Sequence, residues 1–566
     1  MSRTVLLLST LGAMLLSACG QGTPASPSGT GSSATPAVIG DPTSAPAAPA
    51  ATAGGASPAT AAPAGQTGGQ TSGQTTDLEL WVSASVSEAG PPPADWAAYK
   101  IIKDKLGINL KIVLLPSDFS DADAKINAAA AANGLPDLFQ VNRDTWFRLA
   151  EASLIAPVDD LLPQMPNRTK SHYSDPIRNK LVTIDGKMYG LADPGALPRT
   201  DGLVIRKDWL KKLGLSEPKT LDEFKAVAKA FTEQDPDGNG KKDTYGMGAF
   251  VESPGFYSMG LGPRFDFIYG AYGVAGVWNL SNEGFGLNVR SPNYMKATQF
   301  IKSLVDEKLI DPDWPTLKKD EFRARWKQGK YGMMIENFGA LSTVANYKDF
   351  DTNFPDGEWS VLAPPTGPDG KSSTGVSVQS ARIFAVSQNA VTAGKGAAVA
   401  KLLEWMSSEE GYYLIGFGQE GVNYIKDDKG FVSTKGIDPD KAWTSKKQQP
   451  LTQLRNMVFI NSDVELKARY VPYKTKNGRD MDPLTYWKGF SSQPFTEATG
   501  ASVINPPSNA ADFTRFYSEN IVNFVLGQQT IDEQTWQEYL QGLDGLGARD
   551  LETSAKETLV KAGFLK

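Results

Sequence analysis

The sequence predicts an α/β body built as two lobes with a cleft between them. Apolar segments of strand period and helix period alternate from residue 77 onward. The body after residue 76 is 490 residues long, too large for a single hydrophobic core. It has no run of 18 apolar residues, so none of it reads as a membrane-spanning helix.

The elements follow in order. Leu78-Glu79-Leu80-Trp81-Val82 alternates and reads as a strand. Trp96, Tyr99, Ile102 and Leu106 recur at helical spacing, and Gly107 supplies the cap. Ile108, Leu110, Ile112 and Leu114 fall on one face of a second strand, which Pro116 stops. Ala124–Ala132 reads as a helix and Asp137–Val141 as a third strand. Strands separated by helices imply parallel pairing and βαβ units. Further on, Thr220-Leu221-Asp222-Glu223 is a capping box opening a helix with Phe224, Val227, Ala228 and Phe231 on one face. Thr530-Ile531-Asp532-Glu533 repeats that start signal, and Val399, Leu402, Leu403 and Met406 line another helix.

Composition narrows the function. The 57 Lys and Arg against 63 Asp and Glu give a net charge of −6, which argues against a nucleic-acid binder. One cysteine, Cys19, rules out an internal disulfide or a cysteine-rich metal centre. One histidine, His172, rules out a His cluster, and Ser/His/Asp catalysis would have to run through it.

The N-terminus gives an address. Arg3 precedes the apolar run Val5–Leu16, which is too short to span a bilayer comfortably and ends in Leu16-Ser17-Ala18-Cys19. Residues 1–18 read as a secretory signal. The run into Cys19 resembles a bacterial lipobox, which implies cleavage before Cys19, lipidation of its sulfur and a protein held at the extracytoplasmic face of the membrane. Residues 20–76 are nearly all Gly, Ala, Ser, Thr, Pro and Gln, with Asp41 the only charge. Such a segment cannot bury enough apolar surface to fold, so 19–76 is expected to be a lipidated, disordered tether of roughly 40 Å reach.

Four segments carry a family resemblance. They are Asp185-Gly186-Lys187-Met188-Tyr189-Gly190-Leu191; Ile205-Arg206-Lys207-Asp208-Trp209-Leu210 running to Gly214-Leu215 and on through Pro218-Lys219-Thr220; Gly329-Lys330-Tyr331-Gly332-Met333-Met334; and Trp405–Gly411 with Phe417-Gly418-Gln419-Glu420-Gly421. In this order and spacing the chain resembles the family 1 extracellular solute-binding proteins, the lipoprotein receptors of bacterial ABC importers, and within them the large alginate-type oligosaccharide binders. The resemblance implies a two-lobed periplasmic-binding-protein-like fold of class II type. The N-lobe is expected at 77–190 plus about 363–392 and the C-lobe at 191–362 plus 393–566. It further implies a non-enzymatic, monomeric receptor that binds a carbohydrate and delivers it to an ABC permease.

A calcium loop is expected at Asp235-Pro236-Asp237-Gly238-Asn239-Gly240-Lys241-Lys242-Asp243. Hard Ca²⁺ takes six to eight oxygens, and Gly at the sixth position allows the sharp turn. Asp235, Asp237, Asn239 and Asp243 would give side-chain oxygens and Lys241 its carbonyl. Position 12 is Gly246, so the loop is not a complete EF-hand, and Thr244 stands where alginate-type receptors often place a further acid. The resemblance implies a structural ion away from the cleft; a plain Asn/Gly/Asp turn is the alternative.

Ligands of doubly wound folds sit at strand carboxyl ends. Those ends nominate Ser83, Ser85, Asn142, Arg143, Trp146 and Asp193, with Arg199 beyond. On the other lobe they nominate Asn337 and Phe338, with Glu420 and Asn423 in the Gln-Glu-Gly loop. Trp278 and Tyr269 lie in an aromatic, Gly-rich segment that reads either as a cleft wall or as loop packing. Two basic clusters, Lys318–Lys330 and Lys467–Arg479, would suit an anionic glycan or form a solvated or permease-docking face. The competing functions are an extracellular carbohydrate-active enzyme using two of the carboxylates, and a surface adhesin lipoprotein.

Overall fold

The computed structural model describes residues 75–566 apart from 84–89, 117–118, 195–196, 198, 252–254, 380, 453 and 459–461. The signal segment, Cys19, the expected tether as far as Gln74 and Ser85 lie outside the described residues, and Thr76 at the tether's expected end already opens the first strand.

Two sheets organise the chain. The first takes strands β1 (Thr76–Ser83), β2 (Ile108–Leu115), β3 (Leu138–Val141), β4 (Leu191–Pro194) and, much later, the last strand of the pair of sheets, Ala381–Val386. The second takes β5 (Asp201–Arg206), β6 (Tyr245–Met247), β7 (Tyr331–Asn337) and β8 (Trp359–Val361), so that Ala381–Val386 is β9. The first sheet runs β2-β1-β3-β9-β4 and the second β8-β5-β7-β6.

The early strands pair in parallel, Leu80 with Ile112 and with Leu138, as the intervening helices require. Helix Ala97–Leu106 ends at Gly107, whose φ of +65° suits glycine. Leu78, Leu80 and Val82 alternate into the first core. On β2 the phase slips at the end, and Leu115 rather than Leu114 is buried. β9 returns antiparallel between β3 and β4.

The second sheet is covered on both faces, so its strands are continuously apolar. Leu203, Ile205, Met333 and Ile335 face one core, shared with the helices Leu221–Glu233, Pro292–Asp306 and Ala510–Val525. Val204 and Met334 face the other, with Phe322, Trp326 and Trp359.

Several expectations are corrected. The expected boundary puts Leu191–Pro194 in the second lobe, but it pairs with β9 on the first sheet. The same boundary puts helix Gly396–Met406 there too, but Val399, Leu402, Leu403 and Met406 fill the first core, and Leu414 and Ile415 follow them. The reason is that β9 leaves this core uncovered until the chain folds back over it. The second start signal also moves by two residues. Asp532, not Thr530, caps helix Glu533–Gly545 by accepting the Thr535 N–H at 3.0 Å. Ile531 before the cap and Trp536 after it pack in one core, in the manner of a hydrophobic staple. The Thr220 capping box forms as expected. Among the described residues no helix is long and apolar enough to cross a membrane.

Candidate ligand cleft

Two chain connections join the sheets. Residues 195–200 lead from β4 to β5, and residues 362–380 lead from β8 back to β9. Asn337 at the end of β7 pairs with Asp201 at the start of the antiparallel β5, which puts both at the mouth of the second sheet, next to the connectors. A cavity of about 500 Å³ opens there. Arg199, Asp201, Arg264, Asp266, Asn337 and Gln379 line it, together with Lys319, Arg323 and Phe495.

Its charged groups are held from behind. Arg264 donates to the Ile335 carbonyl at 2.7 Å, lies 3.5 Å from Asp201 and stacks over Phe250. Arg323 forms a two-pronged pair with Glu336, at 3.1 and 3.0 Å. Glu336 is buried and also accepts the indole N–H of Trp326 and the Asn337 backbone N–H. Arg199 has a φ of +55°, donates to the Ser491 carbonyl and lies over the Phe495 ring. Asn337 accepts the Gly339 N–H and so caps the helix that follows.

Asp266 differs from these groups. Burial pushes its carboxyl up to about 6, against backbone N–H donation from Gly276 and Val376. A carboxyl raised in the folded state favours folding fully below its unfolded value, and that contribution is lost as pH rises through the folded value. Asp266→Asn is therefore expected to raise the thermal midpoint at about pH 8 and to leave it unchanged near about pH 4. Melting curves at both pH values check this, and equal midpoints at the higher pH would contradict it.

A second cavity, of about 590 Å³, lies between helix Arg143–Glu151 of the first half and helix Ala548–Lys561 near the C-terminus. Arg143, Asp144, Phe147 and Lys561 are on its wall. Burial lowers the Arg143 guanidinium to about 10. Arg143 donates to the Leu181 carbonyl and lies over Trp146.

The nominated residues therefore divide. Arg199 and Asn337 come together in the first cavity, while Arg143 lies in the second with Asn142 just before it in the chain. Ser83 donates its N–H to Gln140 at the sheet end. Trp146 is fully buried, and its indole N–H donates to the Tyr189 carbonyl. Asp193 is buried against Arg168. Phe338 is buried beside Tyr470, and Trp278 stacks on Phe285 in the second core. For Trp278 the structure thus gives loop packing, not an open wall. Glu420 is exposed, whereas Asn423 ties its own loop to Lys441, in a small cluster with Phe417, Tyr424 and Trp443. Strand-end reasoning does not reach Asp201, Arg264, Asp266, Gln379 or Phe495. The antiparallel partner of a nominated strand end is the signal that could have found Asp201.

The basic clusters are mostly paired. Arg325 holds Asp311 and Asp313, Lys330 holds Asp243, Arg469 lies near Glu465 and Lys474 binds Asp480. Lys319 and Arg323 are the members that reach the cleft. His172 is buried, and burial followed by nearby Arg168 holds its imidazole well below the usual value.

The 235–243 loop turns tightly. Asp235 accepts the backbone N–H groups of Gly238, Asn239 and Gly240, and Gly240 has a φ of +78°. Asp237 and Asp243 converge on the Asn239 amide nitrogen at 2.8 and 3.0 Å. Among the described residues no three acidic, His or Cys side chains form a ready-made metal cage. Thr244 is buried with its hydroxyl on the Phe231 carbonyl, so it stands away from the loop centre. The donor set is nonetheless all oxygen once the Asn239 amide turns, and it suits a hard cation.

A protein-family profile described as "Bacterial extracellular solute-binding protein" matches residues 90–413. The polygalacturonan/rhamnogalacturonan-binding protein YtcQ of Bacillus subtilis (strain 168) is 31% identical over 375 residues, which is 64% of this chain and 70% of that one. Lipoprotein LipO of the same strain is 26% identical over 370 residues, 65% of this chain and 71% of that one. Among solved structures, an HMO binding ABC-transporter associated solute binding protein from Bifidobacterium longum infantis ATCC 15697 superposes with a TM-score of 0.57 at 21% identity, covering 87% of this chain and all of that one. That superposition shows a shared fold.

Proposed function

As this chain belongs to the family of bacterial extracellular solute-binding proteins, we propose that it captures an oligosaccharide outside the cell and hands it to the permease of an ABC importer. The observation that carries this reading is the cavity beside the two connectors, lined by residues of both and by the mouth of β5 and β7. The first sheet and its helices form one lobe and the remainder the other, and the ligand draws them together by bending the connectors. Binding without turnover is the role; no catalytic step is assigned. Cys19 carries the lipid that holds the receptor at the membrane face, and residues 20–76 let it reach the permease. The receptor works as a monomer.

The loop at 235–243 takes Ca²⁺ as a structural ion, held by Asp235, Asp237, Asn239, Asp243 and the Lys241 carbonyl. The ion supplies cross-linking charge and no chemistry. One experiment tests ligand and metal together. Thermal unfolding of the purified protein is followed against a glycan panel, with Ca²⁺ and with chelator. A ligand that binds only the folded state adds about 2.7 kcal/mol of stability at a hundredfold excess over Kd and so raises the midpoint. One oligosaccharide should raise it and emerge unhydrolysed, and chelator should lower it. Hydrolysis of the glycan would point to an enzyme instead, and a midpoint indifferent to chelator would remove the calcium assignment.

A further inference from the structure

A ligand shifts a conformational equilibrium by no more than its differential affinity for the two states. To draw two lobes together it must therefore touch both. The cavity beside the connectors does not supply that contact by itself. Apart from connector residues, its lining comes from the second sheet and the elements packed around it. The second cavity differs. Arg143, Phe147 and Ile184 of the first lobe share its wall with Val503, Asn505 and Lys561 of the other.

Each lobe presents one prepared side chain there. On the first lobe Arg143 opens helix Arg143–Glu151, directly after β3. Its guanidinium lies over the Trp146 ring and gives one terminal nitrogen to the Leu181 carbonyl, which leaves its other N–H groups for the cavity. On the other lobe Tyr257 is 53% exposed, the only exposed aromatic ring among the described residues. Its tip is fixed nonetheless. The hydroxyl donates to the Ile504 carbonyl at 3.1 Å, between the wall residues Val503 and Asn505. Phe256, buried in the second core, packs edge-on against the ring with centroids 5.2 Å apart. Burial raises the Tyr257 hydroxyl above its ordinary value, Asp144 adds to the rise and Arg143 opposes it, so the charges of the first lobe act on this side chain. Core packing gives no reason to hold an aromatic ring rigid in water. A rigid, flat apolar face with a polar edge suits the C–H face of a sugar ring.

The two cavities also share a support. Gln379, in the wall of the first, donates its backbone N–H to the Thr499 hydroxyl at 2.7 Å, and the turn Thr499–Val503 ends in the wall of the second.

We propose that the glycan reaches from the connector cavity into the second one, where a sugar ring stacks on Tyr257 and its hydroxyls accept N–H groups from Arg143, and that this two-sided grip drives closure. This rests on the receptor reading above and adds the contact that closes the lobes.

Tyr257→Leu, Tyr257→Phe and Arg143→Gln in the whole protein test this, by titration calorimetry and small-angle X-ray scattering. The probes are tri- and pentasaccharides of the malto-, cello-, fructo- and galacturonate series. A glycan that binds the parent protein should also reduce its radius of gyration. Tyr257→Leu and Arg143→Gln should each weaken that glycan about tenfold, the loss of one ring contact or one charge-assisted hydrogen bond. Tyr257→Phe keeps the ring and should stay within about threefold. Tyr257→Leu should leave the thermal midpoint of the ligand-free protein nearly unchanged, since the ring is exposed. A glycan that binds and compacts the Leu and Gln variants as it does the parent overturns the two-sided grip and leaves the receptor reading standing, as does binding with no change in radius. Silence from every glycan overturns the receptor reading and the grip with it.

Discussion

Asp193→Ala is expected to destabilise the protein by about 3–5 kcal/mol, because it leaves the Arg168 guanidinium buried without its counter-ion. Arg168 and Asp193 are 0% and 1% exposed and meet at 2.6 Å. The Tyr173 hydroxyl donates to the second Asp193 oxygen at 2.8 Å and lies 3.3 Å from Arg168 Nε. Arg168 also donates to the Met457 carbonyl, so this network ties β4 to the segment that folds back over the first core. Denaturant unfolding measures the loss. Replacing both partners at once, as Arg168→Met with Asp193→Leu, should recover most of it, since an apolar pair of similar volume carries no desolvation cost. The fraction that stays folded should bind ligand with unchanged affinity, because Asp193 does not line either cavity. A single substitution that spares stability but abolishes binding would return Asp193 to the ligand site.

Trp146→Ala should cost a similar amount, about 3–5 kcal/mol, by opening a large cavity in the first core. The ring is fully buried, and its N–H satisfies the Tyr189 carbonyl at 3.0 Å. Gly190 explains the fit. A Cβ at that position would come 3.0 Å from the indole nitrogen and 3.1 Å from Ile383 Cγ2. Trp146→Phe keeps most of the ring but strands the Tyr189 carbonyl, so it should lose only about 1–3 kcal/mol. Equilibrium unfolding of both variants checks the order. If Trp146→Phe were as damaging as Trp146→Ala, the lost N–H donor rather than the opened cavity would set the cost.

Both predictions concern residues that strand-end logic assigns to the ligand. That logic puts Asn337 on a cavity wall at the mouth of the second sheet, because a strand end beside a connector opens onto solvent. It misplaces Trp146, because helix Arg143–Glu151 turns its Trp face inward while Arg143 faces the cavity. Residues three apart on a helix share a face only approximately, and a bulky apolar ring takes the buried side. Asp193 resembles a cleft acid because nothing near it in sequence announces its partner. Arg168 is 25 residues away, and only packing brings the two together. The lobe boundaries fail for the same reason. Helix Gly396–Met406 has the same amphipathic pattern whichever core it covers.

Local chemistry determined a good deal. Alternation and helical spacing gave β1, β2 and their parallel pairing, and the caps at Gly107 and Thr220 stand where steric freedom and a hydroxyl acceptor put them. The turn of the loop at 235–243 also follows from spacing, since the hydrogen bonds made within it join residues at most five positions apart, although Lys330 reaches Asp243 from outside. Tertiary structure alone decided where charge goes. Asp201, Arg264, Asp266, Lys319 and Arg323 are spread over more than a hundred residues and meet at one cavity. Whether each cation is held by a buried acid, as Arg323 is by Glu336, or stands open like Lys319, depends on contacts between distant segments. Periodicity records which face of an element avoids water, but it does not record which other element covers that face.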